Sequence, residues 1–249
     1  MALWQQITDQ IRADINAGRY PAGDLMPREV DLAQVYKVSK DTIHKALAHL
    51  ETEGLVVQTQ GRGTLVRAHR RRQRVTLDST VRRDELGYFF GTATQSLRAL
   101  QPPTVTEGPC PLDLVPVLGL APGSSVVIRD RVMGDPDTGQ TAQLATSYLP
   151  ADLAAGTVLA EADTGPGGIY DRMEQDLGWG HLEWHVAVSA RAATPDEVRL
   201  LDLAPGVPVL CVTRVTTATA GAAAGRVVEV NVTRRDASMW EVGHPITRV

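Results

Sequence analysis

The chain has 249 residues, enough for two domains with ordinary cores, and its 25 Lys+Arg against 29 Asp+Glu give a formal net charge of −4. Cys110 and Cys211 stand alone without CxxC spacing, which excludes a disulfide framework and a zinc ribbon. No apolar run reaches spanning length and no signal peptide precedes the first helical pattern, so a cytoplasmic protein without a membrane partner is expected.

Taken in chain order, Trp4, Ile7, Ile11 and Ile15 recur at three- and four-residue steps and predict a first helix with one buried stripe. Gly18 supplies its C-cap, and Pro21, Gly23 and Pro27 punctuate the link onward. A second helix over about 28–36 turns Leu32, Ala33 and Tyr36 inward, and Lys37-Val38 makes a turn. Ser39 is a good N-cap for a third helix that ends at Gly54. Ile43, Ala46, Leu47 and Leu50 form its buried stripe, which leaves Lys40, Asp41, His44 and Lys45 on the opposite face. A short hairpin follows, running up through Leu55 and Val57, turning over Gln58 to Gly63 and returning through Thr64 to Val66, with Arg62 between two glycines at its tip. Three helices and a hairpin in this order read as a winged helix-turn-helix, whose third helix offers donors and acceptors to base edges in the major groove. The candidate DNA contacts are Arg28, Ser39, Lys40, Asp41, Thr42, His44, Lys45, Gln60, Arg62, Gly63 and Thr64. Charge agrees: residues 1–75 hold 12 basic against 8 acidic side chains, and the remainder 13 against 21.

Residues 1–69 are thus the DNA-binding domain, 70–90 a linker and 91–249 a second domain. The linker opens with Arg70-Arg71-Arg72-Gln73-Arg74, placed to touch phosphates, and Leu86, Tyr88, Phe89 and Phe90 anchor it to a core. The second domain contains an echo: the stretch from Leu118 to Val132 parallels that from Leu201 to Val215, and Arg131 falls on Arg214. Each copy is a helix, a Leu-x-Leu-Ala-Pro-Gly turn and a strand with a hairpin partner, over 141–149 in the first and 226–235 in the second. A helix over 168–177 and an alternating strand over 182–191 lie between them, so the class is α+β with one antiparallel sheet and flanking helices. Arg129 and Arg131 share a strand face, either bridging to Glu229 or Asp236 or contacting a ligand. Tyr148 and Tyr170 are half-buried aromatics or stack on that ligand. His181-x-Glu183-x-His185 puts three polar groups on one strand face without a further partner nearby, so no metal is expected, and Glu183, His185 and Arg191 are read as pocket-lining groups.

The segments Leu3-Trp4-Gln5-Gln6-Ile7, Leu32-Ala33-Gln34-Val35-Tyr36-Lys37-Val38-Ser39, Ala46 through Val56 and Gln60-Gly61-Arg62-Gly63-Thr64 resemble the N-terminal domain of GntR-superfamily bacterial regulators. Arg28-Glu29-Val30 departs from the family's usual Ser-Glu-Arg, and Lys40 and His44 stand where arginines are common. Arg129-x-Arg131, Ser147-Tyr148-Leu149-Pro150, Gly167-Gly168-Ile169-Tyr170, Arg191 with Ala193-Thr194-Pro195, Pro208-Val209-Leu210 and Val228-Glu229-Val230-Asn231 resemble the UTRA domain of the HutC branch, and the overall residue usage is similar to actinobacterial members. The resemblance implies a chorismate-lyase-like fold, a homodimer and a small-molecule effector. It also implies an anion held by Arg129 and Arg131 and supported by Tyr170, with Ser147, Tyr148 and Glu229 as further contacts. Ala145 and Gly168 replace a glutamate and a serine typical of sugar-phosphate sensors, which weighs against that ligand. The expectation is a non-enzymatic repressor without catalytic residues or cofactor, bound to a palindromic double-stranded DNA operator. A lyase-like enzyme domain tethered to the head, and an effector-independent DNA-binding protein, are the alternatives.

Overall fold

The computed structural model describes residues 2–59, 61, 63–67, 73–76, 82–84, 87–89, 97–165, 168–204 and 206–243. The chain divides into two compact units, one comprising Met1–Arg71 with Ala192–Pro208 and the other Arg72–Arg191 with Val209–Val249.

In the first unit, α1 (Leu3–Asn16), α2 (Glu29–Tyr36) and α3 (Lys40–Thr52) precede a hairpin of β1 (Val56–Thr59) and β2 (Gly63–Val66). The apolar stripes meet as the periodicity requires: Ile7 and Ile11, Leu32, and Ile43, Ala46, Leu47 and Leu50 are buried together with Val56 and Val66. Trp4 instead sets its ring edge-on to His49 at 5.5 Å. The Ser39 hydroxyl accepts the Thr42 N–H at 3.2 Å and caps α3. Lys37 takes a left-handed conformation, φ 55°, to close the turn between the second and third helices. The link before α2 also binds the hairpin: Met26 N–H donates to Thr64 O at 2.8 Å and Val66 N–H to Asp24 O at 2.9 Å.

The second unit begins with short strands inside the stretch that the sequence presents as a linker: β3 (Gln73–Thr76), β4 (Arg82–Asp84) and β5 (Gly87–Phe89). β6 (Arg98–Ala99), β7 (Thr104–Pro109), β8 (Ser125–Gly134), β9 (Thr141–Pro150), β10 (Leu182–Arg191), β11 (Val209–Ala218) and β12 (Val227–Asp236) form one seven-stranded sheet. Its order is β10-β11-β12-β9-β8-β6, with β7 also on β8. The β8–β9 and β11–β12 hairpins therefore sit side by side, joined at β9–β12, and the sequence echo becomes two matching halves of the sheet. β13 (Trp240–Gly243) runs parallel to β3.

Helices cover the sheet. α4 (Val115–Leu118) packs with Leu114, Cys110, Val126 and Val230 on one face, with Ile128, Tyr148, Val215 and Val232 against them. On the other face Val127 and Leu149 pack against α5 (Ala151–Ala154), Leu159, α6 (Gly168–Asp171), Met173 and Trp179. The expected helix over 168–177 is α-helical only to Asp171 and continues as a π turn over Arg172–Asp176, a widening that recurs at functional sites. α7 (Pro195–Leu200), which belongs to the first unit, opens on a capping box, with Thr194 and Glu197 satisfying each other's backbone N–H.

Candidate nucleic-acid interface and buried polar cavity

α3 carries Lys40, Asp41, His44 and Lys45 on its outward face, each with more than half of its side chain exposed. Lys45 Nζ lies 2.9 Å from Asp41 Oδ2. Glu29, on α2, binds the other two: its Oε1 is 2.8 Å from His44 Nδ1 and its Oε2 is 3.7 Å from Lys40 Nζ. Arg28 is exposed at the N-terminus of α2, and Ser39 and Thr42 join hydroxyls at 2.8 Å at the start of α3. Gly63 is exposed with φ 104°, a value that favours glycine at the hairpin tip. Thr64 is only 8% exposed, so its side chain faces inward rather than toward a duplex. Gln60 and Arg62 lie outside the described residues.

In the second unit, a cavity of about 360 Å³ is lined by Pro102 and Pro103, Arg129 and Arg131 of β8, Ala162, Asp163 and Thr164, and Gly168 and Ile169 of α6. Arg129 is 3% exposed and held by carbonyls alone, donating to Leu159 O at 2.7 Å, Ala162 O at 3.2 Å and Glu161 O. Burial, with a smaller contribution from the neighbouring Arg131, lowers its pKa to about 10. Arg131 donates from Nη2 to Ser147 Oγ at 2.8 Å, while its buried Nε has no hydrogen-bond partner. Neither guanidinium forms an ion pair among the described residues. The bridge to Glu229 or Asp236 that the shared strand face allowed is absent there, and Glu229 is reached only through Ser147.

Glu229 is fully buried and collects hydroxyls. Its Oε1 accepts from Ser147 at 2.6 Å, and its Oε2 accepts from Tyr170 at 2.5 Å and Thr216 at 2.9 Å. Tyr170 OH in turn accepts from Arg214 Nε at 3.1 Å and Nη2 at 2.8 Å, and the Tyr170 ring meets Trp184 edge-on at 5.8 Å. Burial pushes the Tyr170 phenol up, so it stays a donor to the carboxylate. Asn231 donates to Ser147 Oγ at 3.0 Å, completing the coordination of that hydroxyl. The result is a hydrogen-bonded polar floor that holds Arg131 at the wall of the cavity, which Arg129 also lines.

Arg129, Arg131, Ser147, Tyr170 and Glu229 are thus brought into one cluster. Tyr148 is not: it follows Ser147 on β9, points to the opposite face and packs in the cluster beneath α4. Glu183, His185 and Arg191 are not brought there either. Trp184 pairs with Thr216 and so faces the Glu229 side, which puts the odd-numbered residues of β10 on the other face, exposed. Among the described residues no group of three or more His, Cys, Asp or Glu is placed to hold a metal ion. Arg214, Thr216 and Asn231 were missing from the sequence-based set, although the echo that aligns Arg214 with Arg131 pointed to the first. Glu29 was missing too, and no sequence pattern connects it to His44.

Comparison with known proteins agrees with both halves. Residues 3–66 match the gntR family of bacterial regulatory proteins, and residues 104–239 match the UTRA domain. The chain belongs to this family and carries its UTRA branch of sensory domain. It is 30% identical over 213 residues to an uncharacterised HTH-type transcriptional regulator of Streptomyces coelicolor, covering 82% of this chain and 78% of that protein. It is 26% identical over 216 residues to the HTH-type transcriptional repressor NagR of Bacillus subtilis, covering 86% and 84%. A crystal structure of a GntR-family transcriptional regulator shares the fold over 100% of this chain and 99% of that one, with a TM-score of 0.69 at 24% identity. No described helix is long and apolar enough to cross a membrane.

Proposed function

We propose that the protein is a one-component, cytoplasmic transcriptional repressor that binds a palindromic operator as a homodimer and releases it when a small anionic effector enters the cavity at Arg129 and Arg131. The observation that carries this reading is the guanidinium pair. Two arginines line a cavity without a carboxylate partner, in a chain that also presents an exposed polar helix in a winged helix-turn-helix. A buried cation with no carboxylate in direct contact is costly, and an anionic ligand offsets that cost in one conformational state more than another. A coupling of about 1–3 kcal/mol changes operator affinity roughly 5- to 150-fold, enough for regulation. The DNA contacts in this reading come from Arg28, Ser39, Lys40, Asp41, Thr42, His44 and Lys45, with Gln60, Arg62 and Gly63 as further contacts. Half-sites lie about one helical turn apart.

The test is fluorescence anisotropy of the purified protein on its own upstream intergenic DNA, beside a scrambled duplex. Salt-resistant preference for the native fragment, lost in a His44→Ala/Arg62→Ala variant, supports the reading. Equal weak binding to both duplexes overturns it.

A further inference from the structure

The contact between Glu29 and His44 decides which chemical groups this head reads, an inference that rests on α3 entering the major groove. His44 is the fifth residue of α3 and its side chain is 60% exposed on the outward face. Glu29 reaches across from α2 and sets Oε1 2.8 Å from Nδ1 of the imidazole. An ionised carboxylate only accepts, so Nδ1 carries the hydrogen, and in the neutral ring the lone pair lies on Nε2. Among the described residues Nε2 has no partner. Both lysines on this face are engaged by carboxylates, Lys40 by Glu29 and Lys45 by Asp41, so His44 sits between two ion pairs.

The geometry points to Glu29 as a positioning residue that holds His44 as an acceptor, so that His44 reads the exocyclic amino group of cytosine or adenine in the operator. In the major groove those amino groups are the base-edge N–H donors, whereas guanine N7 and O6, adenine N7 and thymine O4 are all acceptors. The Nε2 lone pair attracts the first set and meets the second lone pair to lone pair. The charged groups beside the ring are Glu29 on α2 and Lys40 on α3, with Asp41 and Lys45 paired to each other on the same helix face.

The test uses the full chain. Selection from randomised duplexes at pH 8, with the wild type and His44→Ala in parallel, identifies the base pair whose preference disappears in the variant. Duplexes are then made with that pair's amino-bearing base replaced by its des-amino analogue, or its purine replaced by the 7-deaza analogue. Removing the amino group weakens wild-type binding roughly three- to tenfold, the worth of one net hydrogen bond, and leaves His44→Ala unaffected. Removing N7 has no effect on wild-type binding, because an acceptor on the protein gains nothing from an acceptor on the base. Glu29→Gln offers the ring either tautomer, so its des-amino penalty falls below twofold, while the circular dichroism of the folded protein stays as in the wild type. An N7 penalty without an amino penalty at pH 8, a Glu29→Gln profile identical to wild type, or no base pair that depends on His44 overturns the inference and leaves the operator reading intact. Failure of every pool to enrich a motif overturns the operator reading and this inference with it.

Discussion

Replacing Glu229 by glutamine keeps the shape of the side chain and removes its charge. In the native network both carboxylate oxygens accept, one from Ser147 and the other from Tyr170 and Thr216. A glutamine oxygen accepts on one side only, and its amide nitrogen then faces hydroxyls that were donating to it. Tyr170 cannot simply reverse, because its oxygen already accepts two N–H groups of Arg214. The substitution relieves the desolvation of one buried carboxylate, worth several kcal/mol. It also forfeits two or three hydrogen bonds to a charged group at about 1.5–3 kcal/mol each, and it leaves Arg129, Arg131 and Arg214 without the negative charge beside them. The losses exceed the gain, and breaking such a buried arrangement by removing one partner costs about 3–5 kcal/mol. Urea unfolding followed by fluorescence of Trp179, Trp184 and Trp240 should therefore show the second unit unfolding at markedly lower denaturant, with the circular dichroism of the folded baseline retained. Tyr170→Phe removes one donor to Glu229 and one acceptor for Arg214, and should cost about half as much. A Glu229→Gln loss below about 1 kcal/mol, or a Tyr170→Phe loss larger than that of Glu229→Gln, would show that Glu229 is not the centre of the network.

Other outcomes follow from the same geometry. Leu47→Ala empties a fully buried site between the three helices and should destabilise the first unit by about 2–5 kcal/mol, read as an earlier thermal transition; a loss under 1 kcal/mol would mean the helices do not pack as described. Ser39→Ala removes the α3 cap and should cost about 1 kcal/mol in the same melt, whereas no change would mean that the 3.2 Å bond contributes nothing. In a thermal-shift panel of small phosphorylated and carboxylated anions, compounds that raise the melting temperature of the wild type should leave Arg131→Ala unmoved. An equal shift in both proteins would place anion binding elsewhere.

Much of the fold is legible in the chain because local signals agree there. The three-and-four spacing of Ile7 and Ile11, and of Ile43, Ala46, Leu47 and Leu50, specifies helices and the faces they bury, since a helix in water must cover such a stripe. The Ser39 cap and the glycine-bearing hairpin tip mark boundaries for equally local reasons. The two halves of the sheet are visible as the echo between 118–132 and 201–215. Adjacent positions on a strand point to opposite faces, so even the separation of Tyr148 from Ser147 follows from alternation alone.

What the tertiary structure decided is which face meets the cavity and which distant groups meet each other. Alternation places Glu183, His185 and Arg191 on one side of β10, but helices cover both faces of this sheet and each face mixes polar with apolar residues. Only the pairing of Trp184 with Thr216, and of Thr216 with Glu229, turns those three away from the network. Glu229 meets Tyr170 across 59 residues of sequence, and Glu29 meets His44 because two helices cross. Such contacts depend on register and packing angle, which are properties of the assembled chain. The sequence alone determined the three helices and hairpin of the head, the two matching halves of the sheet and the family, through local periodicity and motif. The Glu229 network, its link to Arg131 and the acceptor held out by His44 exist only once strands and helices have been brought together, because hydrogen bonds of 2.5–3 Å demand a placement that no local propensity carries.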